Sequence, residues 1–341
     1  MLFESPRIAV LRASVICCLL AWPAAAVADH IVPRERHVQI DCAGQGIPTV
    51  ILDSGLGGSS LEWVLVKTEL SRLTRVCSFD RPGYGNSDMG ALPRTSSRIA
   101  NELFVQLNDA DIDGPLILAG HSFGGYNMQI FARRYSYRVQ GLVLVDASHP
   151  EQVQRFLEPP LEMLTAPSSR YGIVQFSDPP APHEALPDDV RHQIRARSQR
   201  WKTRRTLANE LLSFRDSARQ VQQEPTLVDM PVVVITRGKS DTKASAKHEL
   251  MESRWLEMQT ELAAMSSRGA HVIASGAGHH VHIEQPKLVV SAIAGLISFV
   301  ANTGKNVRTT PLNIGASTSS AEAVWLLDTL DLSQAAAAIA P

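Results

Sequence analysis

The most constraining feature of the sequence is a serine in a tight, glycine-bounded turn between an apolar strand and a helix. The strand pattern Leu116–Ala119 runs directly into Gly-His-Ser-Phe-Gly at 120–124, and a helical pattern continues to Tyr135. Glycines at both ends of the pentapeptide allow a turn in which larger side chains would meet neighbouring backbone. The pattern is typical of a nucleophilic serine, here Ser122, whose hydroxyl is held clear of a sheet.

Strand and helix patterns alternate along most of the chain. Short, continuously apolar strands followed by amphipathic helices are typical of a parallel sheet that is covered on both faces. We therefore predict an α/β fold, with a mostly parallel central sheet and helices on both faces. The predicted strands are 37–42, 49–53, 75–80, 116–119, 142–145, 231–235 and 270–274.

One long segment interrupts this alternation. Residues 150–226 contain no apolar strand, are rich in proline at first and then have a helical pattern, which predicts a helical cap inserted into the core. The core is thereby divided into 29–149 and 227–301. Residues 302–341 are rich in Thr, Ser, Asn and Ala, and we expect a largely mobile tail.

The first 28 residues have the pattern of a secretory signal. Arg7 and Arg12 precede an apolar stretch, and Ala26-Val27-Ala28 supplies the small residues of a cleavage site before Asp29. A retained membrane anchor is the alternative, although the stretch is shorter than the roughly 20 residues that span a bilayer. The expected location of the mature chain is secreted or periplasmic, with no membrane span after cleavage.

Export also affects the expected oxidation state of the cysteines. Of four cysteines, two lie in the leader, and Cys42 and Cys77 remain in the mature chain. An even pair in an oxidising compartment predicts a disulfide, with two buried free thiols as the alternative.

Composition restricts the partners. The net charge of −1 creates no strong field, so we expect no nucleic-acid partner. Seven Arg and Lys residues cluster within 191–205. We interpret them as the solvated face of a cap helix, with recognition of an anionic partner as the alternative. The sequence does not determine the oligomeric state.

Five segments read LDSGLGG, FDRPGYGNSD, GHSFGG, LVLVDASHP and GHHVHIEQP. Together they resemble the α/β-hydrolase superfamily, and more narrowly its capped branch of esterases, aminopeptidases and C–C bond hydrolases. The resemblance covers roughly residues 36–300, apart from the insert. It implies a serine nucleophile activated by a histidine and an acid, and no cofactor.

The resemblance places the base in a loop after the last strand. Aligning Glu284 and Pro286 with the family pattern puts the base on His279, and His280 is the nearest rival. His282 and Glu284 are expected to fix the loop. A metal site is not expected, because no second cluster of ligand-type residues is evident to complete a coordination shell.

Two carboxylates are candidates for the acid that orients the histidine. Asp241 follows the strand at 231–235 with the Gly-x-x-Asp spacing of the family, whereas Asp146 follows the strand at 142–145, the position used in some relatives. Chain order fits both. The resemblance favours Asp241 and leaves Asp146 as the alternative acid.

The resemblance also implies an oxyanion hole made by two backbone amides. One belongs to Phe123, the residue after the nucleophile, and the other to Leu56 in the loop after the first apolar strand. The expected activity is hydrolysis of a small-molecule carboxylic ester or related acyl substrate by an exported serine hydrolase. Aminopeptidase or C–C bond hydrolase activity on the same triad, and a non-catalytic ligand-binding role, are the alternatives.

Overall fold

The computed structural model describes residues 37–157, 181–239 and 246–305. All of these described residues belong to one compact unit. The predicted leader at 1–28, Asp241 and most of the predicted tail lie outside the described residues.

Seven strands form one sheet, each overlapping a strand that the sequence predicts. They are β1 (Ile40–Ala43), β2 (Thr49–Asp53), β3 (Val76–Phe79), β4 (Leu116–His121), β5 (Val139–Val145), β6 (Val232–Arg237) and β7 (Gly269–Ala274). Their order is β1-β3-β2-β4-β5-β6-β7. Every neighbouring pair is parallel except β1 and β3. The α/β fold with a mostly parallel sheet is therefore confirmed.

Ten α-helices are assigned within the described residues. They are α1 (Val64–Leu70), α2 (Ser96–Asp109), α3 (Gly124–Arg134), α4 (Gln152–Leu157), α5 (Asp188–Ser198), α6 (Trp201–Leu212), α7 (Phe214–Gln223), α8 (Ala246–Ala264), α9 (Val281–Glu284) and α10 (Pro286–Lys305). Helices α4 to α7 lie between β5 and β6, within the segment for which the sequence predicts a cap.

The sheet has an apolar core on each face because successive side chains of a strand point to opposite sides. In β4, Leu116 and Leu118 pack in one core together with residues of α2 and α3. Ile117 and Ala119 pack in the other core together with residues of α1 and α10. Burial on both faces explains why these strands read as continuous apolar runs.

The parallel strands bring their carboxyl ends to one edge of the sheet. Asp53, the last residue of β2, pairs with Gly120 of β4, and His121 pairs with Val145, the last residue of β5. The loops that follow these strands therefore emerge side by side, where ligands bind in open α/β sheets.

At one edge of the sheet, the outermost strand β1 is joined covalently to β3. Cys42 and Cys77 are directly paired residues of the two strands, and their sulfurs form a disulfide. The structure thus contains the cystine that the sequence predicts.

Candidate active site

Ser122 stands on a sharp turn between β4 and α3. Its φ of 51° lies in the left-handed region, which is costly for a residue with a side chain. A Cβ at Gly120 would lie 2.6 Å from the carbonyl oxygen of Gly124, and one at Gly124 would lie 2.6 Å from that of Asp53. The two glycines are thus required by close backbone contacts, and the half-buried Ser122 is presented beside the end of β2.

His279 is bound to a buried carboxylate. Its Nδ1 lies 2.6 Å from Oδ2 of Asp146, the residue after β5. Because a carboxylate only accepts hydrogen bonds, Nδ1 is the protonated nitrogen, and Nε2 of the neutral ring is left as the acceptor. Asp146 is fully buried, whereas the side chain of His279 is 32% exposed. The pair therefore offers a basic nitrogen on a side chain that solvent reaches.

This contact favours the alternative acid, Asp146, over the one that the sequence preferred. The sequence favoured Asp241 on spacing, but the carboxylate at Nδ1 of His279 belongs to Asp146, and Asp241 lies outside the described residues. The physical reason lies in the sheet: β4 and β5 are adjacent, so the residues that follow them, Ser122 and Asp146, emerge next to each other. Gly-x-x-Asp spacing carries no information about which strand ends face the histidine.

Three further donors hold the Asp146 carboxylate. The indole Nε1 of Trp255 donates to Oδ1 at 2.8 Å, and Arg237 donates from its backbone to Oδ1 at 3.2 Å and from Nη1 to Oδ2 at 2.8 Å. Burial alone would raise the pKa of Asp146, but its bond to His279 and the charges of His279 and Arg237 lower it below the ordinary value. Asp146 is therefore ionised and fixed in orientation.

Arg237 and Trp255 are neighbours of Asp146 that the sequence did not reveal. Trp255 reads as an ordinary packing residue of a helix, and Arg237 lies just after the predicted strand 231–235. The Arg237 guanidinium also lies over the Trp255 ring, at 4.8 Å from the centroid, and pairs with Glu252 at 3.0 Å. Only the packing of α8 against β6 brings these side chains to Asp146.

The loop after β2, Ser54–Leu56, lies against the serine turn and is called the oxyanion loop below. A Cβ placed on Gly55 would be 3.2 Å from Cβ of Ser122. Among the residues that the structure describes, the backbone amides of Leu56 and Phe123 donate to no protein acceptor. Two predicted donor residues thus flank the serine, one preceding α3 and one in the adjacent loop.

The loop that carries His279 is tied to the serine turn by His121. Nε2 of His121 donates to the carbonyl oxygen of His279 at 3.0 Å, and the two rings are 4.7 Å apart. Burial, reinforced by neighbouring histidines, lowers the pKa of both His121 and His282 well below the ordinary value. Both rings are therefore neutral near pH 7, so neither of them places a positive charge beside His279.

His280, the rival base, does not make the contact with Asp146. Its ring lies 5.4 Å from that of His279 and 5.5 Å from that of His183. The backbone amide of Gly278 donates to Oε2 of Glu284 at 3.0 Å, so Glu284 fixes the loop as its position suggests.

His183, His280 and Glu284 place potential ligand atoms within 4.8 Å of one another. Nδ1 of His183 accepts a hydrogen bond from the amide of Ala185 at 3.1 Å, so the neutral ring carries its proton on Nε2, the atom that faces Glu284 at 3.6 Å. A ligating imidazole instead donates from its other nitrogen. The arrangement suits a polar contact between the ring N–H and the carboxylate better than metal ligation.

A family of known proteins matches most of the chain. The sequence model described as the alpha/beta hydrolase family matches residues 50–292, which include the serine turn, Asp146 and the histidine loop. The chain belongs to this family. An uncharacterized protein of Schizosaccharomyces pombe is 31% identical over 221 residues, which are 63% of this chain and 40% of that protein. The chain therefore spans less than half of the length of that relative.

Solved structures show the same fold. An esterase from Thermogutta terrifontis is 22% identical, with a TM-score of 0.53 over 78% of this chain and 94% of its own. A haloalkane dehalogenase loop variant from Bradyrhizobium elkanii is 16% identical, with a TM-score of 0.60 over 80% of this chain and 96% of its own. At these identities the likeness concerns the fold, which hosts several chemistries.

Within the described residues, no helix has both the length and the apolar character needed to cross a membrane.

Proposed function

We propose that the chain is a serine hydrolase that cleaves carboxylic esters, with Ser122 as nucleophile, His279 as base and Asp146 as the acid that orients the base. The observation that carries the proposal is the 2.6 Å contact between Nδ1 of His279 and Asp146, in a loop bonded to the turn of Ser122. A serine hydroxyl is a weak nucleophile near neutral pH and needs such a base.

The reaction follows from these roles. Nε2 of His279 accepts the proton of Ser122 as Oγ attacks the acyl carbon, and the amides of Leu56 and Phe123 stabilise the tetrahedral oxyanion. The imidazolium then protonates the leaving alcohol, which departs from the acyl-enzyme. Water repeats the sequence and releases the acid. Asp146 stays ionised throughout and stabilises the imidazolium.

Serine at position 122 supports acyl transfer within a family whose members carry out different chemistries. An aspartate at this turn would instead suggest an epoxide hydrolase or a dehalogenase. Among acyl substrates, esters are favoured here because an alkoxide is a better leaving group than an amide nitrogen.

We also propose that the mature protein is exported, either secreted or periplasmic. The leader pattern at 1–28 supports export, and the Cys42–Cys77 disulfide supports an oxidising compartment.

A substrate panel tests the activity. The purified protein is assayed against p-nitrophenyl esters of increasing acyl length, amino-acid arylamides and vinylogous diketones, with Ser122→Ala as the control. We expect ester turnover that is lost in Ser122→Ala. Preferential cleavage of arylamides or diketones would move the assignment to an aminopeptidase or a C–C bond hydrolase, and no turnover of any class by folded protein would favour a ligand-binding role.

A further inference from the structure

A single buried arginine, Arg81, binds the oxyanion loop. Nη1 donates to the carbonyl oxygen of Ser54 at 2.6 Å and to Oδ1 of Asp53 at 2.8 Å, and Nη2 donates to the carbonyl oxygen of Gly55 at 2.8 Å. Nε and Nη2 donate to the Glu210 carboxylate at 3.0 and 3.1 Å. All five N–H donors of the guanidinium are thereby used, so its position is fully determined.

The bond to Gly55, together with the turn bond from the amide of Gly58 to the same oxygen at 3.2 Å, fixes the direction of a proposed oxyanion donor. The carbonyl of Gly55 and the amide of Leu56 belong to one peptide plane, in which a trans bond points C=O and N–H in opposite directions. Since Arg81 holds the oxygen, the Leu56 N–H is directed away from the guanidinium. The cationic donor also polarises that peptide, which makes the amide a stronger hydrogen-bond donor.

The same guanidinium approaches the second donor residue. Its central carbon lies 5.6 Å from the ring centroid of Phe123 and 5.0 Å from that of Tyr84. Arg81 therefore contacts both sides of the proposed oxyanion hole.

The partner of Arg81 comes from the cap segment. Glu210 lies on α6, is fully buried, and also accepts a hydrogen bond from the hydroxyl of Tyr84 at 2.7 Å. If α6 moves away from the core, Arg81 loses its two hydrogen bonds to Glu210. It also loses the negative charge of Glu210, which balances part of the charge of the guanidinium. Breaking one partner of a buried ion pair is strongly unfavourable, so the position of the guanidinium depends on α6.

We propose that Arg81 is a positioning residue for the oxyanion hole and that Glu210 makes this positioning depend on the seating of cap helix α6. The inference rests on the proposed serine-hydrolase function and adds to it a link between the cap and the catalytic rate. A purely structural ion pair would affect stability alone.

The chain offers a matched control for that structural role. Arg94 and Glu102 form another buried ion pair, with Nη1 and Oε2 separated by 2.7 Å and side chains that are 1% and 5% exposed. Neither side chain has a described hydrogen bond to the oxyanion loop. Glu102→Gln removes a buried charge from a comparable pair whose side chains are not hydrogen-bonded to Arg81 or Glu210; the link of this region to α6 is the bond from the backbone amide of Arg94 to Oδ1 of Asn209 at 2.6 Å, which the substitution does not remove.

The experiment compares full-length Glu210→Gln, Arg81→Lys and Glu102→Gln with the wild type, on one activated ester and its thionoester analogue. A thiocarbonyl is longer and a weaker acceptor than a carbonyl, so the ester-to-thionoester rate ratio reports on the oxyanion donors themselves. We expect Glu210→Gln and Arg81→Lys to lower kcat about tenfold or more, with little change in KM, and to reduce the ratio. Glu102→Gln should lower the melting temperature and leave both kcat and the ratio near the wild-type values.

Tyr84→Phe removes one hydrogen bond to Glu210 and should change kcat and the ratio in the same direction, by less. It replaces Glu210→Gln if that variant does not fold. Folded variants with a wild-type ratio and kcat would overturn the inference while the ester activity of the wild type still supports the proposed function. A wild-type protein without acyl-transfer activity would overturn the proposed function, and this inference with it.

Discussion

Asp146 and His279 are separated by 133 residues in the chain, yet Oδ2 of one lies 2.6 Å from Nδ1 of the other. This contact makes Asp146, and not Asp241, the acid of the proposed triad. Asp146→Asn can no longer select the tautomer with Nε2 as acceptor, and we expect kcat to fall by about 10⁴ with the protein still folded. Steady-state kinetics check this, with Asp241→Asn as the control that stays near wild type; loss of activity in Asp241→Asn alone would return the role to Asp241.

Arg237 shares the Asp146 carboxylate with His279. Its positive charge is one of the causes that lower the pKa of Asp146, so its removal raises the pKa of that carboxyl. In Arg237→Met we therefore expect the acidic limb of the pH–kcat profile to move upward, because Asp146 is protonated at a higher pH and then no longer orients His279. The control is Arg134→Met, which breaks the Arg134–Glu224 ion pair and should leave the limb in place. If the acidic limb of the pH–kcat profile does not move in Arg237→Met, Arg237 has only a structural role.

The carboxyl group of Glu62 makes the free energy of unfolding depend on pH. Burial raises the pKa of its carboxyl to about 7, against the opposing charge of Arg81. Between its ordinary value and about 7, the folded protein binds more protons than the unfolded chain, so stability decreases as the pH rises through this window.

Glu62→Gln removes this titration, and its stability relative to wild type should therefore be greater at about pH 8 than at about pH 5. Urea unfolding at the two pH values measures the difference, with Glu69→Gln on α1 as the control for removing a carboxylate from this part of the fold. A relative stability of Glu62→Gln that is the same at both pH values would contradict the raised pKa.

The Cys42–Cys77 disulfide closes a loop between paired residues of β1 and β3. The double variant Cys42→Ser/Cys77→Ser should lose about 2–5 kcal/mol of unfolding free energy, because its unfolded chain is less constrained. Thermal unfolding with and without reductant measures the effect, since only the wild type should respond to reductant. Mass spectrometry of unreduced, mature protein should find no alkylatable thiol; two free thiols would contradict the bridge.

The strands and the serine turn could be predicted because their signals are local. A strand buried on both faces is continuously apolar, and the turn at Ser122 needs glycine at two fixed positions. The loop of His279 could be placed by resemblance, and its neighbour His280 is separated from it only by the contact with Asp146.

The choice between the two candidate acids, and the supporting residues, could not be predicted because they depend on long-range packing. Asp146 is selected by the adjacency of β4 and β5, and Trp255 and Arg237 reach it only after α8 packs on the sheet. Glu210 lies 129 residues from Arg81, in a helix whose sequence pattern gives no sign of a buried carboxylate. Spacing along the chain does not encode such pairs.

Active-site labelling tests the central claim most directly. The mature protein is treated with a fluorophosphonate, and the modified peptide is identified by mass spectrometry, with Ser122→Ala and Asp146→Asn treated in parallel. The account predicts one adduct, on Ser122 of the wild type, no adduct on Ser122→Ala, and much slower labelling of Asp146→Asn. Folded wild-type protein that stays unlabelled, or an adduct on another residue, would contradict it.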